Sequence, residues 1–124
     1  MKYLKRYNEN NENLNYKEEI FNMINNILPF EDYPEYTSKV IDIDNLRFKI
    51  NFDSLEEYGY EMEIGKISND WGYSVDVGKN IEDSEYYLYY RSDGFYDLTE
   101  ELGYEEDEDD KLIYDYLKKY TDSH

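Results

Sequence analysis

Carboxylates are the groups in this chain with the numbers and the spacing to do chemistry. The sequence holds 31 acidic residues against 13 basic ones, a formal charge of −18. Thirteen of the acids fall in one stretch: Glu82, Asp83, Glu85, Asp93, Asp97, Glu100, Glu101, Glu105, Glu106, Asp107, Glu108, Asp109 and Asp110. Arg91 is the only base among residues 81–110, so this stretch carries twelve of the eighteen excess negative charges. Carboxylates at such density have three chemical uses. Close pairs can exchange protons when their surroundings shift their pKa values. Oxygen clusters can hold divalent cations. A rigid row of them can imitate a phosphate backbone and attract a basic protein.

The first two uses find little support. A carboxylate pair is informative where it is rare and buried, and here pairs such as Asp42/Asp44 and Asp93/Asp97 are abundant and read as turn or surface acids. The one histidine, His124, is the last residue, which leaves no histidine-based triad or zinc site. No cysteine is present, hence no thiol nucleophile and no disulfide. Neither a GxxxxGK[ST] loop, nor GxGxxG, nor HExxH occurs. The acids of Glu105–Asp110 lack the glycine that a calcium loop of the EF-hand type needs at its sixth position. The expectation is therefore a protein without catalytic residues, cofactor or resident metal.

Phosphate imitation fits the pattern better. One nucleic-acid strand carries a charge about every 3.4 Å along the axis. Same-face carboxylates on a β-strand stand about 6.6 Å apart, two residues at about 3.3 Å each. Tyrosines among the acids add contact area and stack on arginines. The expected partner-binding set is the thirteen acids above together with Tyr87 and Tyr89. The charge argues against direct binding to nucleic acid, which needs clustered lysine and arginine, and against docking on an anionic membrane. The function expected is a small acidic inhibitor that blocks a basic nucleic-acid-handling enzyme such as a nuclease. Two settings fit by class: a phage-encoded anti-CRISPR or anti-restriction factor, and an immunity protein against a nuclease toxin. The alternative is a non-catalytic interaction protein or homodimeric scaffold whose acidity serves solubility, since runs of like charge are commonly just solvated. With no apolar run near the start and none long enough to span a bilayer, the expected location is the cytoplasm of a bacterial host.

These side chains need a scaffold, and hydrophobic periodicity outlines one. The 124 residues suit a polar arm over residues 1–14 and a single α+β domain over 15–124. Asn15 and Glu18 have capping-box spacing, and Tyr16, Ile20, Met23, Ile24, Ile27 and Leu28 make an apolar helical stripe ended by Pro29 and Pro34. Period-two alternation then marks strands at Lys39–Asp44, Leu46–Phe52, Tyr58–Ile64, Trp71–Val77 and Glu85–Arg91, with a short sixth at Phe95–Leu98. Turns are expected at Asp53–Glu57, Asn69-Asp70, Gly78-Lys79-Asn80 and Asp93-Gly94. Pairing through Asp53–Glu57 sets Leu46 against Ile64, Phe48 against Met62, Ile50 against Tyr60 and Phe52 against Tyr58, with Arg47 against Glu63 and Lys49 against Glu61. A tight turn at Asn69-Asp70 sets Ile64 against Val75 and Met62 against Val77. The result is an antiparallel β-meander of about five or six strands with one buried face. A last helix over Asp110–Thr121, with stripe Leu112, Ile113, Tyr116, Leu117 and Tyr120 and closing lysines Lys118-Lys119, completes the cover. Tyr86, Tyr87, Leu88, Tyr89 and Tyr90 are apolar on both alternate faces. Either Tyr87 and Tyr89 or Tyr86 and Tyr90 must meet solvent, a covering helix, a partner or a twin subunit.

Overall fold

A computed structural model describes residues 15–32, 38–53, 58–70, 72–91 and 94–123. The arm over residues 1–14, Pro34, residues 54–57 of the expected β-turn, Trp71, Asp93 and His124 lie outside the described residues. The elements are α1 (Tyr16–Ile27), β1 (Ser38–Ile43), β2 (Leu46–Phe52), β3 (Gly59–Lys66), β4 (Tyr73–Lys79), β5 (Tyr86–Tyr90), α2 (Phe95–Glu101) and α3 (Asp109–Ser123). The fold is α+β. The five strands form one antiparallel sheet in sequence order, with the helices packed on one face. No helix among the described residues is long and apolar enough to cross a membrane.

Helix α1 starts where its cap allows. Asn15 sits at the N-cap with extended backbone, and its Oδ1 accepts the Glu18 N–H at 3.2 Å. Ile20, Phe21, Met23 and Ile24 turn inward onto the sheet. Helix α3 runs two residues beyond the expected end, to Ser123, so Lys118 and Lys119 do not close it. They pair instead with Asp122, one turn on, at 2.9 Å and with Asp44, in the β1–β2 turn, at 2.6 Å.

The strand faces are as expected, but the partners are displaced. Phe48 lies opposite Ile64, Ile50 opposite Met62 and Phe52 opposite Tyr60, a shift of two residues from the expected register. The next hairpin shifts equally, with Ile64 opposite Tyr73, Met62 opposite Val75 and Tyr60 opposite Val77. A two-residue slip preserves inside and outside, so alternation cannot detect it. Aromatic packing selects the observed register. Tyr60 stacks on Phe52 and Phe30, with ring centroids 5.6 and 4.8 Å apart. Its buried hydroxyl shares one hydrogen between Asn25 Oδ1, at 2.9 Å, and the Leu28 carbonyl, at 2.8 Å. Burial pushes that phenol well above the usual tyrosine range.

Two further expectations are corrected. Phe95–Leu98 is not a strand but part of a helix, because Phe95, Leu98 and Thr99 must share one buried side. The Thr99 hydroxyl shares its one hydrogen between the Phe95 carbonyl, at 3.0 Å, and Asp109, at 2.9 Å. The Gly78-Lys79-Asn80 turn falls later: β4 runs through Lys79, and the chain reverses over Asn80–Glu85, closed by Asn80 N–H on the Glu85 carbonyl at 2.7 Å.

Candidate functional site

The open face of the sheet carries the side chains that alternate away from the helices. Its charges are paired. Arg47 donates two hydrogen bonds to Asp42 on β1, at 2.7 and 3.0 Å. This hydrogen-bonded pairing holds the Asp42 carboxyl below its usual range. Lys49 stands 3.5 Å from Glu63. Arg91, at the end of β5, reaches Glu61 at 3.6 Å and Asp76 at 3.4 Å. The expected pairs of Arg47 with Glu63 and Lys49 with Glu61 are thus replaced, through the same two-residue shift. One consequence bears on the acidic stretch. Its only base, Arg91, is turned toward sheet carboxylates, not toward its own segment.

A carboxylate trio escaped the sequence reading. Asp53, Glu61 and Asp76 each bring an oxygen within 4.8 Å of the others. They come from three strand regions far apart in sequence, so no local spacing reveals them. Partial burial raises the Asp76 pKa, Arg91 lowers it and Asp53 raises it further. Three carboxylate oxygens are the donors that calcium or magnesium prefer, but Arg91 already supplies positive charge to two of the three.

The acidic stretch splits into two groups at opposite ends of β5. That strand's five residues separate them by roughly 17 Å, at about 3.3 Å per residue. The first group is the β4–β5 loop, where Glu82, Asp83 and Glu85 are exposed. Asp83 Oδ1 accepts the Glu85 N–H at 2.9 Å, and Asn80 Oδ1 accepts the Glu82 N–H at 2.9 Å, so side chains of this loop shape its turn. Between the groups, Tyr87 and Tyr89 lie on the open face. Tyr89 is 62% exposed. Tyr87 lies across Gly78 so closely that a Cβ there would collide with the phenol. Tyr86 and Tyr90 turn inward, packing on Phe21 and Phe95 at 5.3 and 5.1 Å.

The second group is the corner between α2 and α3, holding Asp97, Glu100, Glu101 and Glu105–Asp110. Some of these acids belong to the fold. Asp110 accepts from Lys17 at 2.8 Å and from the Tyr90 hydroxyl at 2.5 Å, tying α3 to α1 and to β5. Asp109 accepts from Thr99 at 2.9 Å, Glu108 accepts the Glu105 N–H at 2.8 Å, and Glu101 pairs with Lys66. Acids at the start of α3 also suit its dipole. Burial, then the Asp110 hydrogen bond, pushes the Tyr90 phenol far up.

Of the five remaining acids of this corner, Asp97 stands exposed apart from the others, and four make a site. Glu100, Glu105, Glu106 and Asp107 line a hollow of about 520 Å³ with Tyr96 and Tyr104, over a floor of Thr99 and Asp109. These four carboxylates have no cation or hydrogen-bond donor among the described residues. Tyr96 is 64% exposed on one wall. Tyr104 is fixed on the other by donating to Asp115 at 2.8 Å. Asp107 holds φ at +69°, a left-handed conformation that aspartate tolerates better than most residues. An open, oxygen-lined hollow with aromatic walls suits a guanidinium or ammonium group.

Of the expected partner-binding residues, the structure therefore brings together only Glu100, Glu105, Glu106, Asp107 and Asp109. Glu82, Asp83 and Glu85 stand at the far end of β5, and Tyr87 and Tyr89 on the open face of the sheet. Tyr96 and Tyr104, which line the hollow, carried no signal in the sequence beyond lying among acids. No protein-family model, curated protein or solved structure matches the chain.

Proposed function

We propose that this protein is a non-catalytic inhibitor that offers the α2–α3 corner to the basic cleft of a nucleic-acid-handling enzyme. The observation that carries the reading is the set of four carboxylates, Glu100, Glu105, Glu106 and Asp107, left without cations around an aromatic-walled hollow. On the open face of the sheet, by contrast, Asp42, Glu61, Glu63 and Asp76 are paired with arginine or lysine. A surface that keeps its charge unneutralised repels nucleic acid and draws a basic protein, raising the association rate at low salt. The exposed Tyr96 wall gives an incoming arginine a stacking surface, while the Tyr104 ring already carries Lys111 Nζ 5.3 Å from its centroid. A bacterial cytoplasm, where a restriction enzyme, CRISPR nuclease or toxin nuclease would act, is the setting this reading implies. A neighbouring gene for a nuclease toxin would favour immunity, and a phage operon would favour counter-defence.

The second reading, a solubilising surface on an interaction protein, draws on Asp109, Asp110, Glu101 and Glu108, whose carboxylates serve the fold itself. One experiment separates the two. The protein is used as bait in extract from its native host, beside a variant carrying Glu100→Lys, Glu105→Lys, Glu106→Lys and Asp107→Asn. Inhibition predicts that a basic nucleic-acid enzyme is retained by the first and not the second, and is released by salt and by competing DNA. Equal retention by both baits would sink the corner as the binding surface.

A further inference from the structure

Among the described residues, the outer edge of β5 is open and reads the same in both directions. β5 is the last strand of the sheet, and no strand of the described residues lies along its second side. Its pairing with β4 decides which backbone groups face outward. The Arg91 N–H donates to the Ser74 carbonyl at 2.9 Å, and the Glu85 carbonyl accepts from Asn80 at 2.7 Å. Between them Tyr89 lies opposite Asp76 and Tyr87 opposite Gly78. Antiparallel ladders alternate, so the odd-numbered residues turn their N–H and C=O groups to β4 and Tyr86, Leu88 and Tyr90 turn theirs outward. Among the described residues, none bonds to those outward groups. The edge has no proline, lysine or inward-pointing charge of the kind that guards exposed strands.

The side chains along that edge are self-complementary. Residues 85–91 read Glu-Tyr-Tyr-Leu-Tyr-Tyr-Arg, symmetric about Leu88 except that the two ends carry opposite charge. We propose that a second copy of this chain adds to the β5 edge antiparallel, with the two-fold axis at Leu88, making one continuous ten-stranded sheet. In that register Leu88 meets Leu88 of the second copy, and Tyr86 meets Tyr90. Both are hydrogen-bonded positions and use the outward backbone groups. On the open face Tyr87 meets Tyr89, and Glu85 meets Arg91. These are the non-hydrogen-bonded positions, where side chains approach most closely. Glu85 is exposed and its carboxylate has no other partner among the described residues. Arg91 touches Glu61 and Asp76 at 3.6 and 3.4 Å, and its side chain remains 54% exposed, leaving donors for a third carboxylate. A second copy fits this edge better than a basic enzyme does, because a basic enzyme would meet Arg91 with like charge. The proposal does not rest on the corner binding anything, and it is read on the pure protein alone.

The test is sedimentation velocity on the full chain across a concentration series at about 0.15 M salt, where a Debye length of about 8 Å confines the repulsion between two strongly acidic chains. A reversible dimer is expected. Glu85→Arg and Arg91→Glu should each weaken it by about tenfold, since both symmetry-related pairs turn from attractive to repulsive. The double variant E85R/R91E should restore dimerisation, because the exchanged pair is again opposite in sign. Arg91→Glu also strips the cation from Glu61 and Asp76, so Glu85→Arg reads the edge more cleanly. Leu88→Pro removes an outward N–H without touching the ladder to β4, and should abolish the dimer while circular dichroism stays native. A monomer at every concentration, a dimer indifferent to Glu85→Arg and Leu88→Pro, or a double variant no better than the singles would each overturn the proposal.

Discussion

Two of the surfaces that carry carboxylates are organised in opposite ways. On the open face of the sheet, Asp42, Glu63, Glu61 and Asp76 each stand within 4 Å of arginine or lysine. At the α2–α3 corner, Glu100, Glu105, Glu106 and Asp107 stand around a hollow with no such partner among the described residues. The sheet face gathers cations because its strands interleave bases and acids across the ladder. At the corner Lys66 and Lys17 go to Glu101 and Asp110, and the segment's own base, Arg91, points back to the sheet, so none reaches the four acids of the hollow. Charge count alone treats the two alike. The distribution of counter-charges separates a surface that is already satisfied from one that has something to offer a partner.

The largest expected effect breaks the corner. The variant with Glu100, Glu105 and Glu106 replaced by lysine and Asp107 by asparagine should lose about a hundredfold or more in affinity for a basic partner, as measured by calorimetry or surface plasmon resonance. Its urea midpoint should stay level or rise, since like charges are removed and no hydrogen bond is lost. Asparagine is the choice at 107 because it keeps the left-handed backbone accessible.

The next effect separates the corner's structural acids from its free ones. Asp110→Ala should destabilise the fold by about 2 kcal/mol in urea titration, because the largely buried Tyr90 hydroxyl and Lys17 lose their acceptor. A loss within experimental error would mean that Asp110, too, belongs to the free set.

A smaller effect lies on the sheet. Gly78→Ala should displace the Tyr87 ring, visible as a shift of its ring resonances, at a cost within about 1 kcal/mol, since the new Cβ meets only the far end of a half-exposed side chain.

The smallest effect sharpens the comparison without breaking anything. Asp42 and Asp76 should titrate on opposite sides of the usual aspartate value when followed by carboxyl carbon NMR. Asp42, hydrogen-bonded by Arg47, titrates low. Its stabilising contribution is therefore present above the unfolded-state pKa and is lost as pH falls through its lower folded value. Asp76, partly buried and near Asp53, titrates high. Ionising it disfavours the folded state, so that cost is relieved as pH falls through its raised folded value. Arg47→Ala should return Asp42 toward the ordinary range and leave Asp76 unmoved.

The sequence revealed the sheet's faces and concealed its partners for one physical reason. Alternation of Leu46, Phe48, Ile50 and Phe52 survives a two-residue slip unchanged. What fixes the slip is Tyr60 stacking on Phe52 and Phe30 and donating to Asn25 and Leu28, contacts that span up to 35 residues. Phe95 and Leu98 were legible as apolar but too few to distinguish a short helix from a strand. The site was half visible. The excess of acid over base in residues 82–110 is plain in the sequence. Its division by β5 is not, nor is the assignment of Asp109 and Asp110 to the fold, because their partners Thr99, Tyr90 and Lys17 arrive only when the chain closes. Asp53, Glu61 and Asp76 were invisible as a group for the same reason.

The central claim is that the unpaired corner, and not negative charge in general, binds a basic partner. The most direct measurement compares two charge-matched variants against the nuclease recovered from the native host, at low salt. One carries Glu100→Lys, Glu105→Lys and Glu106→Lys at the corner. The other carries Glu31→Lys, Glu82→Lys and Asp122→Lys, away from it. Inhibition of the nuclease should be lost in the first and retained in the second. Equal loss in both would reduce the effect to net charge, and retained inhibition in the first would remove the corner from the binding surface altogether.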